Sequence, residues 1–190
     1  MDLRQWITEE HDSLQTRFDR AVVDNVPKDR WRERAGAGGS SIAFLVLHSA
    51  WHADLAVQTG VRGEEPVLAR WRTDLGLGGT PAATALAEAE DPAITAAVDL
   101  DALTAYAGEA HDTTSRWLRD VEVETFEDRP PVSTRIAAIA AVSEDAVPWL
   151  HAMWDGKPTA WFVQWEAVGH VQGHLGEMIS VRSRLGLSPF

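Results

Sequence analysis

The chain has 190 residues, with 17 lysines and arginines against 29 aspartates and glutamates, no cysteine and nine tryptophans. This length suits one domain over residues 1–190, and a hydrophobic content of 45% is enough for a folded core. The lack of cysteine excludes disulfides, thiolate metal sites and a cysteine nucleophile, so any metal site must use His, Asp and Glu. The net charge of -12 indicates a protein that does not bind nucleic acid, since nucleic-acid binders present a basic face.

The first residues of the chain carry several acids and lack both the basic and the apolar regions of a signal peptide. The longest apolar runs, residues 42–47 and 136–142, are far too short to cross a bilayer. We therefore expect a cytoplasmic protein that does not bind membranes.

The first half of the chain predicts two long helices. Apolar residues recur every three or four positions over residues 2–24, which indicates an amphipathic helix, and residues 28–39 read as a charged, Gly-rich loop. Ser40 or Ser41 is a suitable N-cap for a largely apolar helix over residues 41–60.

The next segment is rich in glycine and predicts a long connection with a helical turn around residues 66–75. Thr80 and Pro81 resemble the N-cap and first residue of a short Ala-rich helix. Asp99 or Asp101 then caps a third long helix, which is expected to run to about Val121.

The last third of the chain predicts two short helices and one long helix. Residues 136–142 favour a short buried helix, with a strand as the alternative, and Ser143 begins a capped helix through about residue 154. The final helix is expected over residues 159–185, with Gly186 as its C′ residue. Together these elements predict an all-α fold, an up-and-down four-helix bundle with extra short helices in its long loops.

Two histidine pairs are the main candidates for chemistry. His170 and His174 are four residues apart in the last helix, so both imidazoles lie on one face and can bind one metal ion. In the second helix, His48 lies on the apolar stripe and points inward, and His52 is the rival third ligand one turn further on. Each pair alone is also compatible with ordinary hydrogen-bonded histidines.

The order Leu47-His48 in the second helix, and His170, His174 and Glu177 in the last, resembles the DinB/YfiT-like superfamily of metalloenzymes. The resemblance covers essentially the whole chain and implies a four-helix bundle, often dimeric. It implies that His48, His170 and His174 hold a divalent metal, with zinc first and nickel, iron or manganese as alternatives. Asp54 and the ending Arg184-Leu185-Gly186-Leu187 resemble the uncharacterised DinB-like branch.

Relatives in this superfamily include mycothiol- and bacillithiol-dependent S-transferases and a maleylpyruvate isomerase. The resemblance therefore implies a metal-dependent transferase or isomerase that activates a small thiol such as mycothiol, acts on a small-molecule substrate and forms a homodimer. A non-catalytic metal- or ligand-binding stress-response bundle and a hydrolase using metal-bound water are the alternatives. Glu177 is the candidate catalytic residue, as a base or as a hydrogen-bond acceptor, with a solvated helix position as the plain alternative.

Several other features have simpler interpretations. His11 lies on the apolar stripe of the first helix and is expected in the core or in the wall of a pocket. His111 and His151 have polar neighbours and are expected to be exposed. Asp54 is six residues beyond His48, so we expect it to cap or pair elsewhere. Two larger sets remain. The late tryptophans suit a core or dimer surface, or the wall of a pocket: Trp149, Trp154, Trp161 and Trp165. The basic cluster suits a solvated loop, or a rim that docks anions: Lys28, Arg30, Arg32 and Arg34.

Overall fold

A computed structural model of the chain describes residues 2–36, 38–89 and 92–187. Every regular element in these ranges is helical, which confirms the predicted all-α class. The helices are α1 (Leu3–Phe18), α2 (Ile42–Asp54), α3 (Leu68–Trp71), α4 (Pro92–Ala97), α5 (Leu100–Asp120), α6 (Val132–Ile139), α7 (Pro148–Trp154), α8 (Thr159–Trp161) and α9 (Val171–Arg184). In the described residues no helix is both long and apolar enough to cross a membrane.

Three of the long helices contain wider π-helical turns. Asp19–Val23 continues α1, Leu55–Val61 continues α2, and Phe162–His170 joins α8 to α9 in one rod. Backbone angles stay right-handed helical at each junction. The last rod thus agrees with the helix expected over residues 159–185, and Gly186 follows it at a φ of +76°.

The four long helices form the expected bundle, in which α1 contacts α5, α5 contacts α2, α2 contacts α9, and α9 contacts α1. The Arg182 side chain donates to the Ala21 carbonyl at 2.8 Å, near the end of both α1 and α9. Because Ile7 and Val163 also pack together at the opposite end, α1 and the last rod run parallel.

Helices α2 and α5 also run parallel, because Gln58 donates to Thr114 at 3.0 Å while the earlier Asp54 meets the earlier Tyr106. The order along the chain is therefore up, down, down, up, and not the alternating order of the predicted up-and-down bundle. The long connection over residues 62–99 makes this order accessible, since it returns the chain to the end of the bundle where α2 begins.

Asp54 holds this connection in place. Its buried carboxylate accepts the backbone N–H groups of Val67 at 3.0 Å and Leu68 at 2.8 Å, and the Tyr106 hydroxyl at 3.2 Å. Burial raises the pKa of Asp54 to about 6, against the lowering effect of these hydrogen bonds. The expectation that Asp54 caps or pairs away from the histidines is confirmed, and α3 lies within the predicted turn at residues 66–75.

The prediction of a helix that begins at Thr80 is wrong. Residues 82–85 form turns, and the short helix of this region is α4. The Thr80 hydroxyl does not cap a following helix because it donates back to the Leu77 carbonyl at 2.9 Å and accepts from Arg72 at 3.0 Å.

The helix boundaries after residue 99 lie closer to the predicted ones. Asp99 is the N-cap of α5, accepting from the backbone N–H groups of Asp101 and Ala102. Residues 136–142 contribute to a helix, not a strand, since α6 covers Val132–Ile139. Helicity begins at Pro148 and not at Ser143, because residues 144–146 form a turn.

The basic cluster is partly or fully exposed, as expected of a solvated loop, and it also makes internal contacts. Ala37 of the same loop lies outside the described residues. Lys28 pairs with Asp101 and Arg30 with Glu33. Arg32 donates to two backbone carbonyls that precede α5, at 3.2 and 2.7 Å.

Candidate metal centre

Helix α2 supplies the first two histidines of the centre. It begins where the Ser41 hydroxyl accepts the Phe44 N–H at 3.2 Å, as predicted for an N-cap. His48 and His52 follow one turn apart on a buried face, with ring centroids 4.6 Å apart. The apolar sequence of α2 therefore places two imidazoles inside the protein and not at its surface.

The last rod supplies the other two. His170 ends the π-helical stretch, and His174 follows one α-helical turn later. Their Nε2 atoms lie 2.8 Å apart, so the two imidazoles converge, as the spacing of four residues predicts.

Helices α2 and α9 bring the two pairs together. The His48 ring lies 5.2 Å from that of His170 and 4.8 Å from that of His174. One nitrogen from each of these three side chains lies within 4.8 Å of the other two. The structure thus joins His48 to two histidines that lie more than a hundred positions later in the sequence.

His48 is held in a defined orientation. Its Nδ1 lies 2.7 Å from the Ala85 carbonyl, which only accepts, so Nδ1 carries the proton. Its Nε2 is buried without a hydrogen-bond partner among the described residues and is left with a free lone pair. Ala85 has a φ of +65°, a left-handed conformation that disfavours residues with a Cβ atom. The turn that presents this carbonyl is therefore a strained one.

Burial keeps His48 and His170 neutral. Burial, followed by the neighbouring His52, lowers the pKa of His48 to about 3. Burial, followed by the neighbouring histidines, lowers the pKa of His170 to about 2. Neutral imidazole is the form that binds metal, so these two ligands need not lose a proton at pH 7.

The three histidines fit a divalent ion. Imidazole nitrogens bind zinc at about 2.0–2.1 Å, which places two neighbouring ligands about 3 Å apart. The 2.8 Å between the Nε2 atoms of His170 and His174 is close to that value. The unpartnered Nε2 of His48 is available as a third donor. An all-imidazole donor set suits zinc, nickel and iron better than magnesium or calcium.

Glu166 is the residue that sequence reasoning missed. It is completely buried in the last rod, and its Oε1 accepts the Trp154 indole N–H at 2.7 Å. Its Oε2 lies 3.3 Å from Nδ1 of His52 and 3.5 Å from Nδ1 of His170. The signal was present, because Glu166, His170 and His174 repeat at intervals of four.

His52 belongs to a second, overlapping group. His52, Glu166 and His170 also offer ligand atoms within 4.8 Å of one another. The Nε2 of His52, however, lies 2.8 Å from the Leu86 carbonyl and is already partnered. His52 is therefore near the centre, as expected of the rival ligand, but its ring nitrogens face Glu166 and a carbonyl.

Glu177 lies outside the centre. Its side chain is 59% exposed, and its Oε1 is 3.5 Å from Nδ1 of His174. This places it beside the outward nitrogen of a candidate ligand. The geometry suits an acceptor that orients His174 better than a base in the pocket.

A pocket of about 350 Å³ opens beside the histidines. Trp149 and Trp165, each exposed by more than two fifths, form two of its walls, whereas Trp154 is completely buried. The late tryptophans thus divide between core and pocket wall. The lining residues are His48, His52, Ala87, Glu88, Trp149, Met153, Trp165, Glu166 and His170.

A second histidine cluster lies between α1 and α5. His11 is buried, as predicted, and its ring stacks on His111 at 4.1 Å. The neighbouring Asp12 accepts hydrogen bonds from Ser115 and from Arg119, the latter at 2.8 Å. His11, Asp12 and His111 also offer three ligand atoms within 4.8 Å, but this carboxylate already has two partners.

The expectation that His111 and His151 are exposed is wrong. His111 is mostly buried by its stack on His11. His151 is buried as α7 packs on the bundle, and its Nε2 lies 3.1 Å from the Val142 carbonyl. Tertiary packing, which local polarity does not report, buries both side chains.

Comparison with known proteins supports the fold. The crystal structure of a conserved protein from Enterococcus faecalis matches the chain with a TM-score of 0.67 and 17% sequence identity, over 98% of this chain and 99% of that chain. At this identity the likeness shows the fold alone. No protein-family model and no curated protein matches the chain. The fold and the site thus define a helical bundle with a buried histidine cluster that could hold a metal ion.

Proposed function

We propose that the chain is a DinB-like divalent-metal protein whose ion is held by His48, His170 and His174. The observation that carries this proposal is the buried, unpartnered Nε2 of His48, which faces the close Nε2 pair of His170 and His174. Leaving such a buried nitrogen without a partner costs about 1–3 kcal/mol. A metal ion in that position removes the cost.

We further propose that the protein is a transferase or isomerase that uses a small thiol. A divalent ion bound there, with zinc as the first candidate, supplies Lewis acidity that lowers the pKa of a bound thiol or water. The chain contains no cysteine, so a small molecule such as mycothiol must bring the thiol.

The chain's own residues have distinct roles in this proposal. The Ala85 carbonyl fixes the ring of His48, and Glu166 orients His170 while remaining anchored by Trp154. Carboxylates placed in this way commonly fix ligand histidines and raise their basicity. Trp149 and Trp165 offer flat apolar faces to the substrate.

Thiol conjugation tests this function. Zinc-loaded protein is mixed with an electrophile such as 1-chloro-2,4-dinitrobenzene, with and without a small thiol, and conjugate formation is followed. We expect thiol-dependent turnover in the native protein and in His111→Ala, and loss of turnover in His170→Ala. Equal rates in the native protein and in His170→Ala would contradict the proposal, and ester cleavage without any thiol would favour a hydrolase instead.

A further inference from the structure

The pocket beside the histidines is lined by acidic and not by basic charged side chains among the described residues. Two of its lining residues are acidic, Glu88 at the exposed rim and Glu166 at the buried base, and no described lining residue is a lysine or arginine. The carboxylate of Glu166 already contacts the Trp154 indole N–H and the His52 ring, so its negative charge is partly compensated. The exposed carboxylate of Glu88 therefore sets the potential at the mouth.

Two tryptophan faces line the same pocket. Trp149 lies on α7 with its ring 6.1 Å from that of His52, and Trp165 lies on the last rod with its ring 6.4 Å from that of His170. Both side chains are more than two fifths exposed. Tryptophan faces attract cations through the ring quadrupole, and aromatic surfaces beside an acid are typical of sites for quaternary ammonium groups.

We infer that this pocket selects thiols whose tail is cationic over thiols whose tail is anionic. The inference rests on the proposed thiol-dependent function and names its substrate class. With the sulfur directed to the histidine cluster and its proton released to the buffer, the tail lies in the pocket that Trp149, Trp165 and Glu88 line. A sulfonate or carboxylate tail meets like charge there and has no basic partner.

Three two-carbon thiols test the inference: 2-mercaptoethyltrimethylammonium with charge +1, 2-mercaptoethanol with no charge, and 2-mercaptoethanesulfonate with charge -1. Neither charged tail is a good metal ligand, so all three compete through sulfur. Cobalt(II) replaces zinc in the protein, and the change in its visible spectrum gives each dissociation constant. We expect about tenfold tighter binding of the cationic thiol than of the sulfonate at low salt, with a smaller ratio at higher salt.

The cationic thiol is also the more acidic one, which by itself favours its binding to the metal. Substitutions in the pocket separate this effect from the preference of the pocket. In Glu88→Gln and in Trp165→Leu, the cation-to-anion ratio should fall about threefold. The matched controls Glu124→Gln and Trp6→Leu change the same residue types at exposed positions outside the pocket, and they should keep the native ratio.

The outcomes are distinguishable. Equal affinities for the three thiols, or a ratio that Glu88→Gln and Trp165→Leu leave unchanged, would overturn the inference and leave thiol binding intact. A cobalt-loaded protein that binds none of the three thiols would overturn the proposed thiol-dependent function and the inference with it.

Discussion

The protein contains two buried histidine clusters that differ mainly in the partners of their polar atoms. Between α1 and α5, His11 and His111 stack in parallel, and the adjacent Asp12 is occupied by Ser115 and Arg119. Between α2 and the last rod, the rings meet edge to face, and one buried nitrogen of His48 has no partner. Nearby histidines are common to both clusters, whereas a buried Nε2 without a partner, that of His48, is found beside a close Nε2 pair in the second.

The pKa values do not separate the two clusters. Burial, followed by the neighbouring His111, lowers the pKa of His11 to about 3, and burial with His52 lowers that of His48 to a similar value. Both side chains are therefore neutral at pH 7. The guanidinium of Arg119 beside Asp12 provides a second difference, because a fixed positive charge disfavours a metal ion there.

The largest predicted difference concerns metal affinity. Removing a ligand should weaken binding more than the roughly 10- to 100-fold loss that follows removal of a supporting residue, so His170→Ala should lose about 100-fold or more. His111→Ala should bind zinc as the native protein does. Competition titration against a chromophoric chelator measures both, and a similar loss in the two variants would abolish the distinction between the clusters.

Thermal stability should follow the same distinction. Zinc at a free concentration of 100 times its Kd should stabilise the fold by about 2.7 kcal/mol. For a chain of this size, this corresponds to a rise in Tm of roughly 5–11 °C. Calorimetry should show the rise in the native protein and in His111→Ala. A rise of the same size in His174→Ala would place the metal elsewhere.

The supporting carboxylates should also differ. Glu166→Gln should weaken zinc binding by about 10- to 100-fold, because the buried carboxylate lies 3.5 Å from Nδ1 of His170 and is proposed to orient that ring. Asp12→Asn removes a carboxylate from the other cluster and should leave zinc affinity unchanged. Isothermal titration of both variants decides the comparison, and unchanged affinity in Glu166→Gln would remove that residue from the centre.

The smallest predicted effect is a pH dependence of the metal-free protein. Because the pKa of His11 is about 3 in the folded state and about 6.5 when unfolded, protonation favours unfolding between these values. The stability is fully present above pH 6.5 and falls as the pH is lowered, by about 2 kcal/mol between pH 7 and pH 5 from this residue. Urea denaturation at several pH values should give a shallower dependence in His11→Gln. An equal slope in that variant would show that His11 is not held neutral by burial.

The sequence predicted best those features that depend on local signals. Asp99 capped α5 as one of two predicted alternatives, and Gly186 lies just beyond the last helix, because caps act within a few residues. The meeting of His48 with His170 and His174 followed from helix periodicity once a bundle was assumed.

The remaining features depend on tertiary packing. The Ala85 and Leu86 carbonyls that hold His48 and His52 come from a turn whose conformation was predicted as a helix. Glu166 looks like an ordinary helix acid until Trp154 and the histidines enclose it. Such side chains are recognisable in sequence only by their register with the histidines.

Metal stoichiometry tests the central claim most directly. The native protein, the double variant His170→Ala/His174→Ala and the double variant His11→Ala/His111→Ala are loaded with zinc, dialysed and analysed by mass spectrometry, with circular dichroism as a check of folding. We predict one ion per chain in the native protein and in the His11/His111 variant, and almost none in the folded His170/His174 variant. Near-zero metal in the native protein, or retention of the ion in the His170/His174 variant, would contradict the assignment of the centre.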